Sequence, residues 1–328
     1  MPPILSVQDL KVQFKTETGY IYAVNDISFD LYPAETLTIV GESGAGKTVS
    51  MLALLGLIDP PGEINSGKVL FEGSDLLQLN PDDWQRVRGK KIALIQQDAL
   101  AALNPVLTVG LQVSEALTVH EELSKREARE RTIELLARVG ISTPERQIER
   151  YPHQLSGGMR QRVTIAIALA AQPQILIADE PTTALDVTVQ AEIIDLLLGL
   201  QKQLGMALIW ITHDLGVVAR VAQRVLVMYA GMIMEESRVL ELFNAPRHPY
   251  TIGLFNARPR LDGAPGERLY SISGKPPALL EAPKGCPFIP RCPYASGRCR
   301  LEMPPLVEVA PRHFAACWEH RRFTPQDM

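Results

Sequence analysis

Residues 41–48 read Gly41-Glu42-Ser43-Gly44-Ala45-Gly46-Lys47-Thr48 and fit the pattern G-x-x-x-x-G-K-[ST] at every fixed position. The glycines let a loop wrap so that its amides point at phosphate oxygens. Lys47 has the reach to meet β and γ oxygens, and the Thr48 hydroxyl can bind Mg²⁺. Asp179 and Glu180 end the apolar run Ile175-Leu176-Ile177-Ala178. A carboxylate at such a strand end suits Asp179 to partnering a nucleotide-bound Mg²⁺, and Glu180 to polarising an attacking water. His213 follows a second apolar run, where an imidazole can hydrogen-bond a γ-phosphate. Between these groups lies Leu155-Ser156-Gly157-Gly158-Met159-Arg160-Gln161. Ser156 opens a helix, so its hydroxyl, the Gly157 and Gly158 amides and the helix dipole favour an anion. The chemistry these residues permit is nucleotide binding and transfer of a phosphoryl group to water.

Strands and helices must hold these groups in place. Leu37-Thr38-Ile39-Val40 is a short β-rich run, and Thr48–Leu57 has helical composition, so strand, glycine loop and helix follow in order. Leu5–Phe14 and Ile27–Leu31 alternate apolar and polar residues as half-buried strands do, and Ile92–Ile95 reads as a buried strand. Residues from about Leu100 to Gly140 look helical, Val163–Ala171 reads as a buried helix, Val187–Leu204 as an amphipathic one, and Ala207–Thr212 as a strand. This alternation predicts an α/β fold, with a mostly parallel sheet covered on both faces. A helical subdomain over about 98–165 interrupts it. Beyond Glu236 prolines crowd the chain (Pro246, Pro249, Pro276, Pro277, Pro283, Pro287, Pro290, Pro293), which disfavours long helices. The expected division is therefore a domain over 1–235 and an irregular C-terminal extension over 236–328.

Bulk composition narrows the class. The chain has 328 residues, 46% hydrophobic and 21% charged, which is ordinary globular composition. Its net charge of −4 argues against a nucleic-acid partner, since there is no basic excess to neutralise phosphates. The start lacks a charged segment followed by an apolar one, and no run approaches the ~20 apolar residues that cross a bilayer. A cytosolic chain, attached to membrane only through partners, is expected. All four cysteines, Cys286, Cys292, Cys299 and Cys317, cluster near the end, which in a reducing compartment suggests metal ligation before disulfides. Their spacing, C-x5-C-x6-C-x17-C, lacks the paired knuckles of a zinc ribbon. Four thiolates can hold [4Fe–4S] as well as zinc.

The order of these motifs over residues 40–215 resembles the ATP-binding cassette (ABC) family. The resemblance implies a P-loop NTPase, RecA-like nucleotide-binding domain with ATP and Mg²⁺ as ligands. It also implies that a glutamine after the strand at 92–95 touches the metal and the attacking water. Gln97 fits the family register better than its neighbour Gln96, because Asp98 and Leu103-Asn104-Pro105 follow it. Ala184-Leu185-Asp186 resembles the family's D-loop, and an aromatic ring before the phosphate loop, Tyr20 or Tyr22, is expected on adenine. In the family, two cassettes sandwich ATP. Lys47, Thr48, Asp179, Glu180, Gln97 and His213 then build one site, while Ser156, Gly157 and Gly158 complete the partner's.

The C-terminal segment extends the resemblance over nearly the whole chain. Arg247-His248-Pro249-Tyr250-Thr251, Gly285-Cys286-Pro287 and Arg291-Cys292-Pro293 resemble the extension of peptide and nickel importer ATPases, notably the first ATPase subunit of dipeptide importers. That likeness implies a paralogous second ATPase, two integral-membrane permeases and an extracytoplasmic substrate-binding protein as partners. It implies a peripheral place on the cytoplasmic face of the inner membrane, and a [4Fe–4S] cluster on Cys286, Cys292, Cys299 and Cys317. Dipeptides or short peptides are the expected cargo, with nickel, haem or another small solute as the alternative. A soluble ABC protein of translation or DNA repair is a further alternative, but no long coiled coil with sustained heptads separates Thr48 from Leu155. A P-loop kinase would leave Leu155–Gln161 unexplained.

Overall fold

The computed structural model describes residues 2–183, 185–257 and 270–323. The first part of the chain forms β1 (Leu5–Thr16), β2 (Gly19–Leu31), β3 (Thr36–Val40), α1 (Lys47–Leu54), β4 (Gly62–Phe71), β5 (Ser74–Asp75), α2 (Pro81–Val87) and β6 (Ile92–Ile95). The middle holds α3 (Ala99–Ala102), α4 (Val109–Thr118), α5 (Lys125–Arg138), α6 (Pro144–Gln147), α7 (Gly157–Leu169), β7 (Ile175–Asp179) and α8 (Val187–Leu204). The last part runs through β8 (Ala207–Thr212), α9 (Leu215–Val221), β9 (Arg224–Tyr229), β10 (Met232–Arg238), α10 (Val239–Asn244), α11 (Pro249–Asn256), α12 (Gly297–Leu301), β11 (Val307–Ala310) and β12 (His313–Ala315). The chain divides into two compact units.

One unit comprises the described parts of Met1–Leu31, Thr36–Leu77 and Ile211–Met328. Within it β2, β1, β4 and β5 form an antiparallel sheet in that order, its inner face built by Leu5, Val7, Leu10 and Val12. A second group of strands runs β11-β12-β10-β9-β3. Only β3 and β9 are parallel there; the hairpin β9–β10 and its neighbour β12 are antiparallel. The sheet is thus more mixed than strand–helix alternation predicts. The cause is local: Ala230 and Gly231 both take positive φ, which turns the chain directly back and leaves no room for a crossover helix. An apolar core collects Val40, Val227, Met234, Leu242, Tyr250 and Phe288, so the extension beyond residue 236 is packed into this unit. Rings of Tyr229, Tyr250 and Phe288 meet with centroids 4.7–5.4 Å apart. Such pairs contribute about 0.5–1.5 kcal/mol each beyond burial.

The other unit comprises Tyr32–Glu35 and Gln78–Trp210. Strands β6 and β7 run parallel, Ile92 beside Ile175 through Ile95 beside Ala178, with β8 on the far side of β7. All five residues of β7 are buried, as a central parallel strand requires. The stretch 100–140 is not one helix. Pro105 and the caps Thr108 and Ser124 cut it into α3, α4 and α5. Ser124 and Glu127 form a reciprocal capping box, a device that contributes about 1 kcal/mol. Helix α7 begins at Gly157, six residues before the apolar run that announces it, because Ser156 caps it.

Candidate functional site

The phosphate loop leaves β3, whose five residues are all buried, and enters α1 at Lys47. Gly44 and Gly46 have φ of 80° and 92°, a region that side chains rarely adopt. A Cβ at Gly41 would lie 2.2 Å from the Met228 carbonyl oxygen, and one at Gly46 would lie 2.5 Å from that of Ala23. The loop therefore tolerates glycine alone at both places. Lys47 is 6% exposed and folds back over its own loop, donating from Nζ to the carbonyls of Gly41 (2.8 Å) and Glu42 (3.0 Å). Ser43, Gly44 and Thr48 are exposed, while Ala45 is buried and its carbonyl accepts from Gly231.

Glu42 is anchored on three sides. Its N–H donates to the Tyr250 hydroxyl at 2.8 Å, its carbonyl accepts from Lys47, and its carboxylate pairs with both terminal nitrogens of Arg291 at 2.6 and 2.9 Å. Burial pushes the Tyr250 phenol well above its ordinary range, so the hydroxyl stays neutral and can accept. Hydrogen bonding to Glu42 holds Arg291 firmly charged. Sequence reasoning quoted Tyr250 and Arg291 within motifs and gave neither this role, since no local pattern links Glu42 to positions 208 and 249 residues away.

In the same unit His213 follows β8, exposed, and Asp214 caps α9 by accepting from Gly216 N–H at 2.7 Å. Tyr20 and Tyr22 lie two apart on edge strand β2, hence on one face, and nothing in their surroundings chooses between them for adenine. The Tyr22 N–H donates to the Leu279 carbonyl of the extension.

The acidic strand end belongs to the other unit. Asp179 is the last residue of β7 and is 5% exposed. Glu180 takes φ of 46°, a strained value for a residue with a side chain, which throws its carboxylate out of the strand line. There its Oε2 accepts from Gln97 Nε2 at 3.1 Å and from the Thr183 hydroxyl at 3.0 Å. Of the two adjacent glutamines, Gln97 supplies this contact, and the next residue, Asp98, caps α3. Thr183 was not anticipated; a threonine three residues after the carboxylate was the available signal. Ala184 of the D-loop resemblance lies outside the described residues, while Asp186 caps α8 through Val189 N–H.

The glycine turn is in this unit too. Ser156 Oγ accepts from Met159 N–H at 3.3 Å and is exposed at the N-terminus of α7, with Gly157 and Gly158 behind it. A Cβ on Gly158 would meet Val189 Cγ1 at 2.7 Å, so α7 approaches α8 closely there. The exposed end of a helix of 13 residues presents free amides and a positive dipole end to solvent.

The four cysteines are free thiols around one pocket, walled also by His248, Phe288, Tyr294 and Trp318. Burial pushes the Cys286 thiol up to about 11 and Cys317 to about 12, and raises Cys292. His248 is driven down to about 3 by burial and accepts the Tyr250 N–H on Nδ1, so it is neutral. Among the described residues, no group of three or more His, Cys, Asp or Glu side chains is disposed to hold a metal ion. No helix among them is long and apolar enough to cross a membrane.

Comparison with known proteins agrees with this architecture. Residues 24–183 match the family described as ABC transporter, and residues 234–299 match the family described as oligopeptide/dipeptide transporter, C-terminal region. The oligopeptide transport ATP-binding protein OppD of Bacillus subtilis is 50% identical over 316 residues, 96% of this chain and 88% of that protein. The dipeptide transport ATP-binding protein DppD of Bacillus subtilis is 48% identical over 97% of this chain and 95% of its own length. The ATP-binding cassette MJ0796, solved as a dimer bound to ADP and Pi, superposes with a TM-score of 0.65 at 29% identity, covering 72% of this chain and 98% of that one. With likeness over almost its whole length and with the glycine loop, acidic strand end and capped glycine turn all built, this chain belongs to the ABC transporter family of ATP-binding proteins.

Proposed function

We infer that the chain is the ATP-hydrolysing subunit of a membrane importer, coupling ATP binding and hydrolysis to uptake of dipeptides or short peptides. The carrying observation is the pairing of a cassette match with an oligopeptide/dipeptide-transporter C-terminal region in a single chain. The proposed division is a cassette over 1–235, with a helical subdomain at about 98–165, and an extension over 236–328; the second match, which begins at residue 234, supports a change of module near there. Membrane permeases are the partners such an ATPase must have. A pair of them, a paralogous second ATPase and an extracytoplasmic binding protein complete the proposed assembly, with this chain peripheral on the cytoplasmic face of the inner membrane.

In the proposed site the amides of Gly41, Glu42, Ser43, Gly44, Ala45 and Gly46 and the Lys47 ammonium hold the phosphates. Thr48, Asp179 and Gln97 hold or surround Mg²⁺, which neutralises charge on the phosphate oxygens when bound. Glu180 takes the proton of the water that adds to the γ-phosphorus as the bond to the ADP oxygen breaks. His213 bonds the γ-phosphate and keeps it in line. Gln97, already on Glu180, orients that carboxylate. Ser156, Gly157 and Gly158 cap the γ-phosphate of ATP held by the second ATPase.

The proposal includes a [4Fe–4S] cluster on Cys286, Cys292, Cys299 and Cys317, as a staple of the extension. What supports it is that all four cysteines line one pocket with largely apolar walls. Anaerobic purification is expected to yield a brown protein with near-stoichiometric iron and sulfide; colourless, iron-free protein rejects the cluster. For the importer itself, the affinity-tagged chain should co-purify with two integral-membrane subunits, and its deletion should stop dipeptide uptake. Recovery as a lone soluble ATPase, with uptake intact, would sink the reading.

A further inference from the structure

Glu42 puts a carboxylate inside a loop whose proposed work is to receive a highly charged anion. Left alone, that charge opposes a triphosphate. Arg291 answers it from far along the chain, with a side chain only 4% exposed and a two-pronged pairing to both carboxylate oxygens. Its remaining N–H groups are fixed as well. Nε donates to the Ser273 carbonyl at 2.9 Å and Nη2 to that of Ile272 at 3.3 Å, while Nη1 also faces the Tyr229 hydroxyl at 3.4 Å. The backbone beneath is a short turn, Ile289–Arg291, closed by N–H bonds from Arg291 to Phe288 and from Cys292 to Ile289. A rigid fork thus reaches from the extension to the loop.

Lys47 gives the reason such a fork is needed. Its Nζ braces the loop through the carbonyls of Gly41 and Glu42. A Lys47 ammonium shared with a phosphate would brace the loop less. The Arg291 pair and the Tyr250 bond to the Glu42 N–H then remain to hold residue 42.

We propose that Arg291 is a positioning residue of the nucleotide site, neutralising and anchoring Glu42 so that the phosphate loop meets ATP preformed. The inference rests on the nucleotide reading given above. Its signature appears in MgATP affinity, which a merely stabilising ion pair would not move: the affinity lost on removing Arg291 is relieved by also neutralising Glu42.

The test measures MgATP affinity of the full-length chain in low salt for four proteins: unchanged, Arg291→Gln, Glu42→Gln, and the double variant. Arg291→Gln should weaken binding about tenfold, Glu42→Gln only slightly, and the double variant should recover most of the loss. Raising salt should shrink the Arg291→Gln penalty by screening. Arg291→Gln binding within twofold of the unchanged chain overturns the inference, as does a double variant weaker than Arg291→Gln. If Arg291→Gln fails to fold, Glu42→Gln and Arg291→Lys carry the test: a loss in Arg291→Lys that Glu42→Gln relieves supports it, and additive losses overturn it. An unchanged chain that binds no ATP overturns the nucleotide reading and takes this inference with it, an outcome distinct from the others.

Discussion

At the scale of single residues, Glu180 shows how geometry and chemistry agree. Its left-handed backbone, the Gln97 amide and the Thr183 hydroxyl together aim one carboxylate oxygen away from its strand. A side chain held so tightly loses little freedom when it orients a water, which is what a general base requires. Glu180→Gln keeps the shape and removes the base. The expected result is unchanged ATP affinity with turnover at this chain's own site lowered by about 10²–10⁴-fold, read by single-site ATPase assays. Ordinary turnover at that site would remove Glu180 from the role. Glu180 was legible in sequence because it closes an apolar strand, where local chemistry favours a carboxylate, and Gln97 was legible through the family resemblance; Thr183 was not. Arg291 and Tyr250 were not, because their partner Glu42 is brought near only by folding.

Elements repeat that contrast. Strand β7 and helix α8 could be bounded from periodicity, since one is apolar throughout and the other carries a clear apolar stripe. The segment at 100–140 could not, because helical composition masks the breaks that Pro105, Thr108 and Ser124 impose. Nor was the hairpin β9–β10 visible: both strands are buried on both faces, so alternation never appears. What fastens the C-terminal strands to β10 was equally hidden. Glu235, fully buried, accepts from the N–H groups of Arg247 (2.6 Å) and His248 (3.0 Å), and pairs with His313 Nε2 at 2.7 Å. One carboxylate therefore ties β10, the lead into α11, and β12. Glu235→Ala removes the partner of three groups, two of them in buried residues, and should cost about 3–5 kcal/mol in chemical denaturation. Glu235→Gln, which keeps one acceptor oxygen, should cost less. Equal stability of the Ala variant would show that this carboxylate does not fasten the strands.

For the molecule as a whole, the glycine turn is a helix end that faces solvent. Ser156 is exposed at the end of α7, a Cβ on Gly157 would lie 3.6 Å from Leu185, and Val187, two residues further on at the start of α8, is 83% exposed. A positive helix end with free amides and a neighbouring exposed apolar residue describe a surface suited to an anion and a second protein. The solved relative MJ0796 is itself a dimer with ADP and Pi. Under the proposed pairing with another ATPase, the two halves of each site come from different chains. Ser156→Arg fills the turn with a bulky side chain and leaves the phosphate loop of its own chain untouched. Its expected outcome is MgATP affinity of the isolated chain within twofold of the unchanged protein, and loss of hydrolysis at the partner's site in the assembled complex. Glu180→Gln should show the reverse allocation, losing hydrolysis at this chain's own site and sparing the partner's. Should Ser156→Arg abolish ATP binding by the isolated chain, the turn serves its own nucleotide, and the shared-site arrangement is wrong.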